Sequence, residues 1–320
     1  MKRALPLSIF FLLSNLLFPQ EHVSEVRHLI SGKFEQYVQT PTIFHENWNK
    51  RTEIIFWKTL MQLEPDMSMI YAPRTRKILS HIPTIIWKGF DRYQRYQYLQ
   101  DIRKQYNIKG KLFVAQGKSH FYRFHQVLPE LKGVIDIFHR QGVDPWYAQS
   151  VLMIESPGQL LTSTAGAYGP FQLMKSVGKA FGLTINEHKD ERASYTKSAL
   201  AAAKFFKTAC IPETEMLLRR AGISYHTSDL WFKLLVLHVY HAGAGNVQKA
   251  ILKTGIKKGG MNLITSLWNS SEGGFQNCSQ NYSQLALAAH ICMEELVHQE
   301  YSSICHSGSY EYLELLTVNE

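Results

Sequence analysis

Cysteine is scarce in this sequence, and the usual metal-binding motifs are absent. The chain of 320 residues has four cysteines, none of which forms a CxxC pair with another: Cys210, Cys278, Cys292 and Cys305. This spacing gives little support to a zinc or thioredoxin-like site, and His238 and His241 lack the HExxH frame of a zinc protease. We therefore expect no metal and no cofactor. Disulfides are permitted in an exported protein, but the sequence does not pair them.

Acidic residues are also few. Lys and Arg number 35 against 26 Asp and Glu, which gives a net charge of +9 and a pI near 9.2. Such a surface predicts an anionic partner, and nucleic acid, acidic lipid and the polymer of the bacterial wall all qualify. The length, with 45% hydrophobic residues, allows one large domain or two modest ones, and no internal repeat is present.

The first twenty residues lack acidic side chains. Lys2 and Arg3 precede an apolar run over residues 4–18, which is the pattern of a secretory signal. The run is short for a spanning helix, which needs about 20 apolar residues. No small-x-small cleavage site follows it, and no nearby cysteine indicates a lipoprotein. We expect residues 1–20 to be a signal peptide or N-terminal anchor, which predicts a periplasmic or envelope protein, membrane-associated if anchored, and no nucleic-acid partner.

The most informative stretch is residues 144–174. Asp144 and Pro145 are a helix-start signal, and Glu155 lies on the same helical face as Ala148, Val151 and Leu152. Desolvation and the nearby helix C-terminus both raise the pKa of such a carboxyl toward the roughly 6–7 that suits a general acid. The alternative is a solvated glutamate at a frayed helix end.

Three ordered stretches resemble the signature motifs of lysozyme-like soluble lytic transglycosylase domains. They are Glu155-Ser156, residues 166–174 (GAYGPFQLM) and residues 239–243 (VYHAG). Residues 189–192 (KDER) and the Ala-rich stretch 198–206 are similar to the membrane-bound D-type branch of that family. The resemblance implies an all-α, lysozyme-like fold of the goose-lysozyme or SLT type with additional N-terminal helices. It implies an N-terminal helical region at residues 21–125 and a catalytic domain at residues 126–255. C-terminal helices at residues 256–320 would complete the catalytic domain.

The resemblance further implies that the protein cleaves peptidoglycan glycan strands without water. Glu155 would first act as acid at the MurNAc-GlcNAc β-1,4 bond and then as base, giving a 1,6-anhydroMurNAc end. Ser156 and Gln172 would orient the N-acetyl group or the glycan, and Tyr240 would hold Glu155. The implied substrate-binding residues are Ser156, Tyr168, Gly169, Gln172, Tyr240, His241 and Tyr282.

Departures from the family pattern leave two alternatives open. His241 stands where the family usually has Asn, and its protonation near neutral pH would make activity pH-sensitive. Residues 170–171 and the turn at 157–158 also differ from the usual pattern. One alternative is a goose-lysozyme-like hydrolase, for which Asp190 or Glu191 is the candidate second carboxylate. The other is a non-catalytic wall-binding envelope protein.

The remaining patterns predict mostly helices. The run 91–98 alternates cations with aromatics, and we expect it to lie on a solvated amphipathic helix rather than to stack on sugars. Asn246 is a predicted N-cap for a helix over 247–253. The other predictions are a short strand at 112–115 and helices at 48–63, 89–106, 126–141, 197–209, 231–241 and 284–299.

Overall fold

The computed structural model of this protein describes residues 26–30, 34–118, 122–155, 160, 162–272, 274–276 and 278–306. It is mostly helical, with 61% helix and 9% strand, which agrees with the predicted all-α class. The predicted signal or anchor at residues 1–20 lies outside the described residues. No helix within the described ranges has both the length and the apolar character needed to cross a membrane.

The N-terminal region corrects the prediction that residues 21–125 are helical, because it contains strands. Strand β1 (Val26–Ile30) pairs with β2 (Phe34–Val38) as an antiparallel hairpin. A three-stranded antiparallel sheet has the order β4-β3-β5, formed by β3 (Met67–Ala72), β4 (Lys77–Pro83) and β5 (Phe113–Gln116). Leu79 and Ile82 of β4 point into a small core, which an exclusively helical interpretation of this segment overlooked. The predicted strand at 112–115 is confirmed as β5.

The helices mostly follow the predicted segments. Their bounds are α1 Thr42–His45, α2 Thr52–Met61, α3 Thr84–Gly89, α4 Arg92–Tyr106, α5 Phe124–Arg140, α6 Pro145–Glu155, α7 Lys175–Ala180, α8 Tyr195–Phe205, α9 Ile211–Ala221, α10 Leu230–Ala242, α11 Ala244–Thr254, α12 Met261–Leu267 and α13 Cys278–His306. A π-helical turn, Phe206–Cys210, joins α8 to α9, so the helix predicted at 197–209 continues to Ala221.

Asn246 does not cap a helix as predicted. Helix α11 begins at Ala244, directly after Gly243, which has a φ of 77°. The Asn246 side chain instead joins two segments: Nδ2 donates to the Ala242 carbonyl at 2.9 Å, and Oδ1 accepts from the Gly274 N–H at 3.2 Å. Glycine already ends α10 here, because it tolerates positive φ, and no side-chain cap is needed.

The described residues form two hydrophobic cores of unequal size. The larger core is built on α5, α6, α8, α10 and α13, and it also takes in Val38 of β2 and Ile54 of α2. The smaller core lies between the three-stranded sheet and α4 and includes Ile70, Ile102 and Leu112. The larger core therefore crosses both predicted boundaries, near residue 125 and near residue 255. Helix α13 from the C-terminal part completes the surroundings of α6.

Candidate active site

Helix α6 carries Glu155 and starts as the sequence predicts. Asp144 Oδ1 accepts the backbone N–H of Trp146 at 2.9 Å, which satisfies one of the open donors of the first turn. Residues 145–153 are all buried, so the helix is enclosed on every side and not only on the predicted apolar face. Glu155 is the last residue of this enclosed helix, at the point where the core gives way to solvent.

A buried ion pair fixes the start of α6. Lys233 Nζ on α10 lies 2.6 Å from Asp144 Oδ2, and both side chains are largely shielded from solvent. The same ammonium lies 5.9 Å from the centre of the Trp146 ring, within cation–π range. Removing either partner would deprive the other buried charge of this ion pair, so the pair holds α6 against α10.

A polar network fixes the middle of α6. The His290 ring of α13 stacks on Trp146 with ring centres 5.1 Å apart. Its Nε2 lies 2.9 Å from Ser150 Oγ, and its Nδ1 lies 3.1 Å from Gln149 Nε2. Gln149 also bonds both backbone groups of Val38, at 2.7 and 2.9 Å. Burial lowers the pKa of His290 to about 3, so the ring is a neutral structural link.

Glu155 has the properties expected of an acid that works near neutral pH. Part of the residue remains accessible, yet protein atoms surround the carboxyl, and this desolvation raises its pKa from 4.5 to about 7. The Tyr282 hydroxyl opposes the rise by hydrogen bonding to the carboxylate. Among the described residues that hydroxyl has no partner that meets ordinary hydrogen-bond distance and angle. Glu155 can therefore both donate and accept a proton near pH 7.

The charge of Glu155 acts on the hydroxyls of three tyrosines of the described chain: Tyr122, Tyr240 and Tyr282. Burial raises the pKa of each phenol, and the Glu155 charge raises it further. Tyr122 precedes α5 and has a φ of 62°, a left-handed conformation that is rare for an aromatic residue. All three phenols therefore stay protonated at neutral pH.

The glycine-rich loop 166–174 is shaped by three positions with positive φ, Gly166, Gly169 and Gln172. Tyr168 and Leu173 exchange backbone hydrogen bonds of 3.2 and 3.1 Å, which closes a tight turn. Gly169 has a φ of 83°, and a Cβ there would lie 1.9 Å from the Arg192 carbonyl oxygen. Gln172 has a φ of 43°, which is strained for a residue with a side chain. Its Nε2 donates to the Gly169 carbonyl at 3.1 Å.

Arg192 anchors this loop through hydrogen bonds. Its Nη1 donates to the carbonyl oxygens of Gly166 and Leu173, each at 2.9 Å. Nη2 pairs with Asp190 at 2.7 Å, and the guanidinium lies 5.4 Å from the centre of the Tyr168 ring. Arg192 is thus the residue of the KDER segment that links it to the glycine-rich loop.

Tyr240 connects the loop to Glu155. Its hydroxyl donates to the Phe171 carbonyl at 2.5 Å, and the Glu155 charge acts on the same hydroxyl. The ring stacks on Phe206 of the π-helical turn, with centres 4.7 Å apart and planes 1° apart. The predicted role of holding Glu155 stays a prediction, because the contact that the structure gives the Tyr240 hydroxyl is its hydrogen bond to the Phe171 carbonyl.

His241 lies beside Tyr282. The two rings have centres 4.5 Å apart, and His241 Nδ1 lies 3.2 Å from Ser279 Oγ. The residue is exposed by area, but surrounding atoms desolvate the ring and lower its pKa. The ring is therefore neutral at pH 7, and any effect of its protonation moves to more acidic pH than the sequence hypothesis supposed.

The two candidate second carboxylates are engaged elsewhere. Asp190 binds Arg192, and hydrogen bonding to that guanidinium lowers its pKa. Glu191 pairs with Lys189 at 2.7 Å and with Lys197, and these partners together with the Thr184 N–H lower its pKa to about 2. Neither carboxylate contributes to the pKa of Glu155, whose causes are burial and Tyr282.

The predicted site residues fall into two groups that Tyr240 connects. Glu155, Tyr282 and His241 lie together at the ends of α6 and α10 and on α13, and Tyr168, Gly169 and Gln172 belong to the loop. Ser156 and the turn at 157–158 lie outside the described residues. Sequence reasoning missed Tyr122, which no motif marks, and the anchoring role of Arg192, which the KDER segment contains.

Metal ligands do not cluster in the described part of the chain: no group of three or more His, Cys, Asp or Glu side chains there has the geometry to hold an ion. Cys210, Cys278 and Cys292 are free thiols, and the Cys305 side chain lies outside the described residues. Neither protein-family models nor curated proteins match the sequence of this chain.

Proposed function

We propose that this protein is an exported lytic transglycosylase with a lysozyme-like fold, which cuts the MurNAc-GlcNAc β-1,4 bond of peptidoglycan. The observation that carries the proposal is the Glu155 carboxyl. It ends a helix whose residues 145–153 are all buried, its pKa of about 7 suits proton donation and recovery at neutral pH, and the Tyr282 hydroxyl acts on it. The motif resemblance and the mostly helical structure support the same assignment.

The proposed reaction uses one carboxyl twice. Protonated Glu155 gives its proton to the glycosidic oxygen, and the bond from that oxygen to C1 of MurNAc breaks while the N-acetyl oxygen assists at C1. The carboxylate then removes the proton of the sugar's own C6 hydroxyl. The C6 oxygen bonds to C1 and closes the 1,6-anhydro ring. Glu155 ends protonated, as it began, and no water is consumed.

The engagement of Asp190 and Glu191 favours this route over hydrolysis. Most glycosidases need a second carboxylate as base or nucleophile. Both candidates here are held in ion pairs and have lowered pKa values, and neither acts on Glu155. A mechanism that recycles a single carboxyl needs neither of them. The ends of the released fragments distinguish this route from hydrolysis.

The surroundings of Glu155 supply the remaining functions that the reaction needs. The fixed loop presents Gln172 and the backbone near Tyr168 as groups that bind the glycan. The neutral His241 ring offers one N–H donor or one acceptor beside Tyr282, in place of the amide that the family usually has. The net charge of +9 favours encounter with the anionic wall.

The test is mass analysis of fragments released from purified peptidoglycan by the wild-type protein and by Glu155→Gln. Glu187→Gln, on an exposed loop, is the matched control. We expect 1,6-anhydro ends from the wild type and the control and none from Glu155→Gln. Reducing ends would establish the hydrolase instead. No fragments from folded preparations of any variant would overturn both enzymes in favour of a wall-binding protein.

A further inference from the structure

The positive charge of this chain is concentrated in one region. Residues 67–118, which form the three-stranded sheet together with α3 and α4, contain eleven Lys and Arg, two Asp and no Glu. The rest of the sequence has 24 basic and 24 acidic residues, so this region accounts for the whole net charge of +9. A local excess of this size attracts anions to this region rather than evenly to the whole surface.

A cleft of about 690 Å³ lies at one end of the three-stranded sheet. One wall is residues 72–75, at the end of β3, and the other is residues 108–111 with Phe113, which lead into β5. We call it the β3–β5 cleft. Strands β3 and β5 pair directly, with Tyr71 opposite Phe113, and the centres of these two rings are 6.1 Å apart. The pairing of the two strands therefore holds the walls side by side.

The turn after β3 is anchored to the helices behind it by Arg76. This residue has a φ of 57°, its Nη2 donates to Asn281 Oδ1 of α13 at 2.9 Å, and its guanidinium lies 4.9 Å from the centre of the Phe56 ring of α2. Arg74, two residues earlier in the same turn, is exposed and lines the cleft. The anchored turn thus presents one guanidinium to the cleft and uses the other for packing.

The second wall is fixed at the end of α4. Asn107 ends this helix in a left-handed conformation, with a φ of 52°, and the Ile108 N–H donates to the Arg103 carbonyl at 2.9 Å. Ile108 also packs against the smaller core. Lys109 and Lys111 follow directly and line the cleft. Both walls are in place before any ligand binds, which limits the entropy cost of binding.

The three cations of the β3–β5 cleft have no acidic partner. Arg74, Lys109 and Lys111 are exposed, and none of them forms a salt bridge within the part of the chain that the structure describes. The lining of the cleft includes no Asp or Glu. Guanidinium and ammonium groups that converge in this way are the donors that phosphate oxygens accept from most strongly. The cleft is therefore suited to a phosphate-bearing ligand.

Most of the remaining lining is apolar. It includes Ala72, Pro73, Ile108 and Phe113, and the Phe113 side chain is left 49% exposed. This apolar surface offers nothing to a free phosphate ion, and it is poorly matched to a polar glycan strand. It does match a ligand in which phosphate is joined to hydrocarbon. Among the anions of a cell envelope, an anionic phospholipid has both parts.

We propose that the β3–β5 cleft binds the headgroup of an anionic phospholipid at a membrane surface. The phosphate lies on Arg74, Lys109 and Lys111, and the glycerol and first acyl carbons lie on Pro73 and Phe113. This contact holds the folded part of the protein at the membrane independently of residues 1–20. The inference does not rest on the proposed function, because neither Glu155 nor the glycine-rich loop contributes to the cleft.

The first test is calorimetric titration of the full-length protein with dihexanoyl phosphatidylglycerol, a lipid short enough to stay monomeric in water. The cleft variant combines Arg74→Gln, Lys109→Gln and Lys111→Gln. We expect it to bind this lipid at least about tenfold more weakly than the wild type. These side chains are exposed and form no salt bridge with described residues, so thermal unfolding should show an unchanged fold.

A matched control removes the same charge from the same region. It combines Lys88→Gln, Arg92→Gln and Lys104→Gln, three exposed cations outside the cleft lining. We expect its affinity to stay within about twofold of the wild type. Equal weakening in the two triple variants would mean that the lipid responds to diffuse charge and not to a site, which would overturn the proposal.

Two further ligands separate the parts of the lipid. Dihexanoyl phosphatidylcholine has the same chains without net charge, and glycerol 3-phosphate has the phosphate without chains. We expect the wild type to bind each at least about tenfold more weakly than the phosphatidylglycerol. Equal affinity for glycerol 3-phosphate would identify a site for soluble phosphates, and equal affinity for phosphatidylcholine would identify a merely apolar cleft. Either result would contradict the proposal.

The second test is sedimentation of the two triple variants with vesicles of phosphatidylglycerol and phosphatidylethanolamine in equal parts. Residues 1–20 are present in both proteins, so any binding of their own cancels in the comparison. We expect a lower bound fraction for the cleft variant and no difference on vesicles of phosphatidylcholine alone. Equal bound fractions on the anionic vesicles would contradict the proposal. Neither test involves cleavage, so a failure of the proposed function leaves both results unchanged.

Discussion

The Tyr282 hydroxyl on α13 faces the Glu155 carboxyl at the end of α6, and each group shifts the pKa of the other. Burial raises the pKa of Glu155 to about 7 while Tyr282 lowers it, and Glu155 adds to the rise that burial causes at Tyr282. Two helices from distant parts of the chain therefore set the protonation of one carboxyl. This relationship makes the pH dependence of the proposed reaction testable.

Tyr282→Phe should move the alkaline limb of the pH–rate profile to higher pH. The reaction needs protonated Glu155, so its rate falls as pH rises through the pKa of that group. Without the Tyr282 hydroxyl the carboxylate loses a stabilising partner, and the pKa rises further. The measurement is the rate of fragment release against pH, with Tyr225→Phe as the control. An unchanged limb, or one moved to lower pH, would contradict the assignment.

Glu155→Gln should stabilise the protein at alkaline pH. Between pH 4.5 and about 7 the folded state holds a proton on Glu155 that the unfolded state has released, so wild-type stability falls as pH rises through this window. The full difference corresponds to about 3 kcal/mol at pH 8 and disappears near pH 4. Denaturant unfolding of both proteins at pH 4 and pH 8 measures it. A stability difference that does not grow with pH would exclude a raised pKa.

Two glycines in the same loop offer a matched comparison. Gly166 and Gly169 have φ values of 87° and 83°, but a Cβ at Gly166 meets nothing within 4 Å, whereas at Gly169 it would meet the Arg192 carbonyl at 1.9 Å. Gly166→Ala should cost about 1–2 kcal/mol from the backbone alone. Gly169→Ala should destabilise the protein more than Gly166→Ala and should lower its activity. The added Cβ would push the loop away from the Arg192 carbonyl. Equal effects in thermal unfolding and fragment release would contradict this role of the loop.

Lys233→Met should destabilise the protein by about 3–5 kcal/mol, because the largely buried Asp144 carboxylate then loses this ion pair. Adding Asp144→Asn should cost less than the sum of the single changes, since the buried carboxylate charge is then removed together with the ammonium. Lys132→Met is the control: its exposed pair with Asp136 should contribute less than about 1 kcal/mol. Denaturant unfolding of the four variants tests the cycle, and simple additivity would contradict a coupled buried pair.

The sequence predicts the local features of this chain better than its long-range contacts. The Asp144 cap and the helix that carries Glu155 follow from residue chemistry and spacing, and the structure has both. Asn246 was misread because a good capping residue followed a glycine that already ended the helix. The strands near residues 67–83 were missed because their short apolar runs also fit helices.

The surroundings of Glu155 depend on contacts that no local pattern contains. Tyr122 belongs to no motif, and its approach to Glu155 follows from the turn that leads into α5. Arg192 is present in the KDER segment, but its bonds to Gly166 and Leu173 become visible only when the chain is folded. The net charge of +9 likewise predicts an anionic partner but does not locate the binding site.

The most direct test of the central claim is digestion of peptidoglycan in heavy-oxygen water, followed by mass analysis of the new glycan ends. If Glu155 works alone and the C6 hydroxyl attacks C1, the ends are anhydro sugars that carry no heavy oxygen, and Glu155→Gln forms none. Reducing ends that carry one heavy oxygen would mean that water attacks C1. That result would contradict the single-carboxyl mechanism.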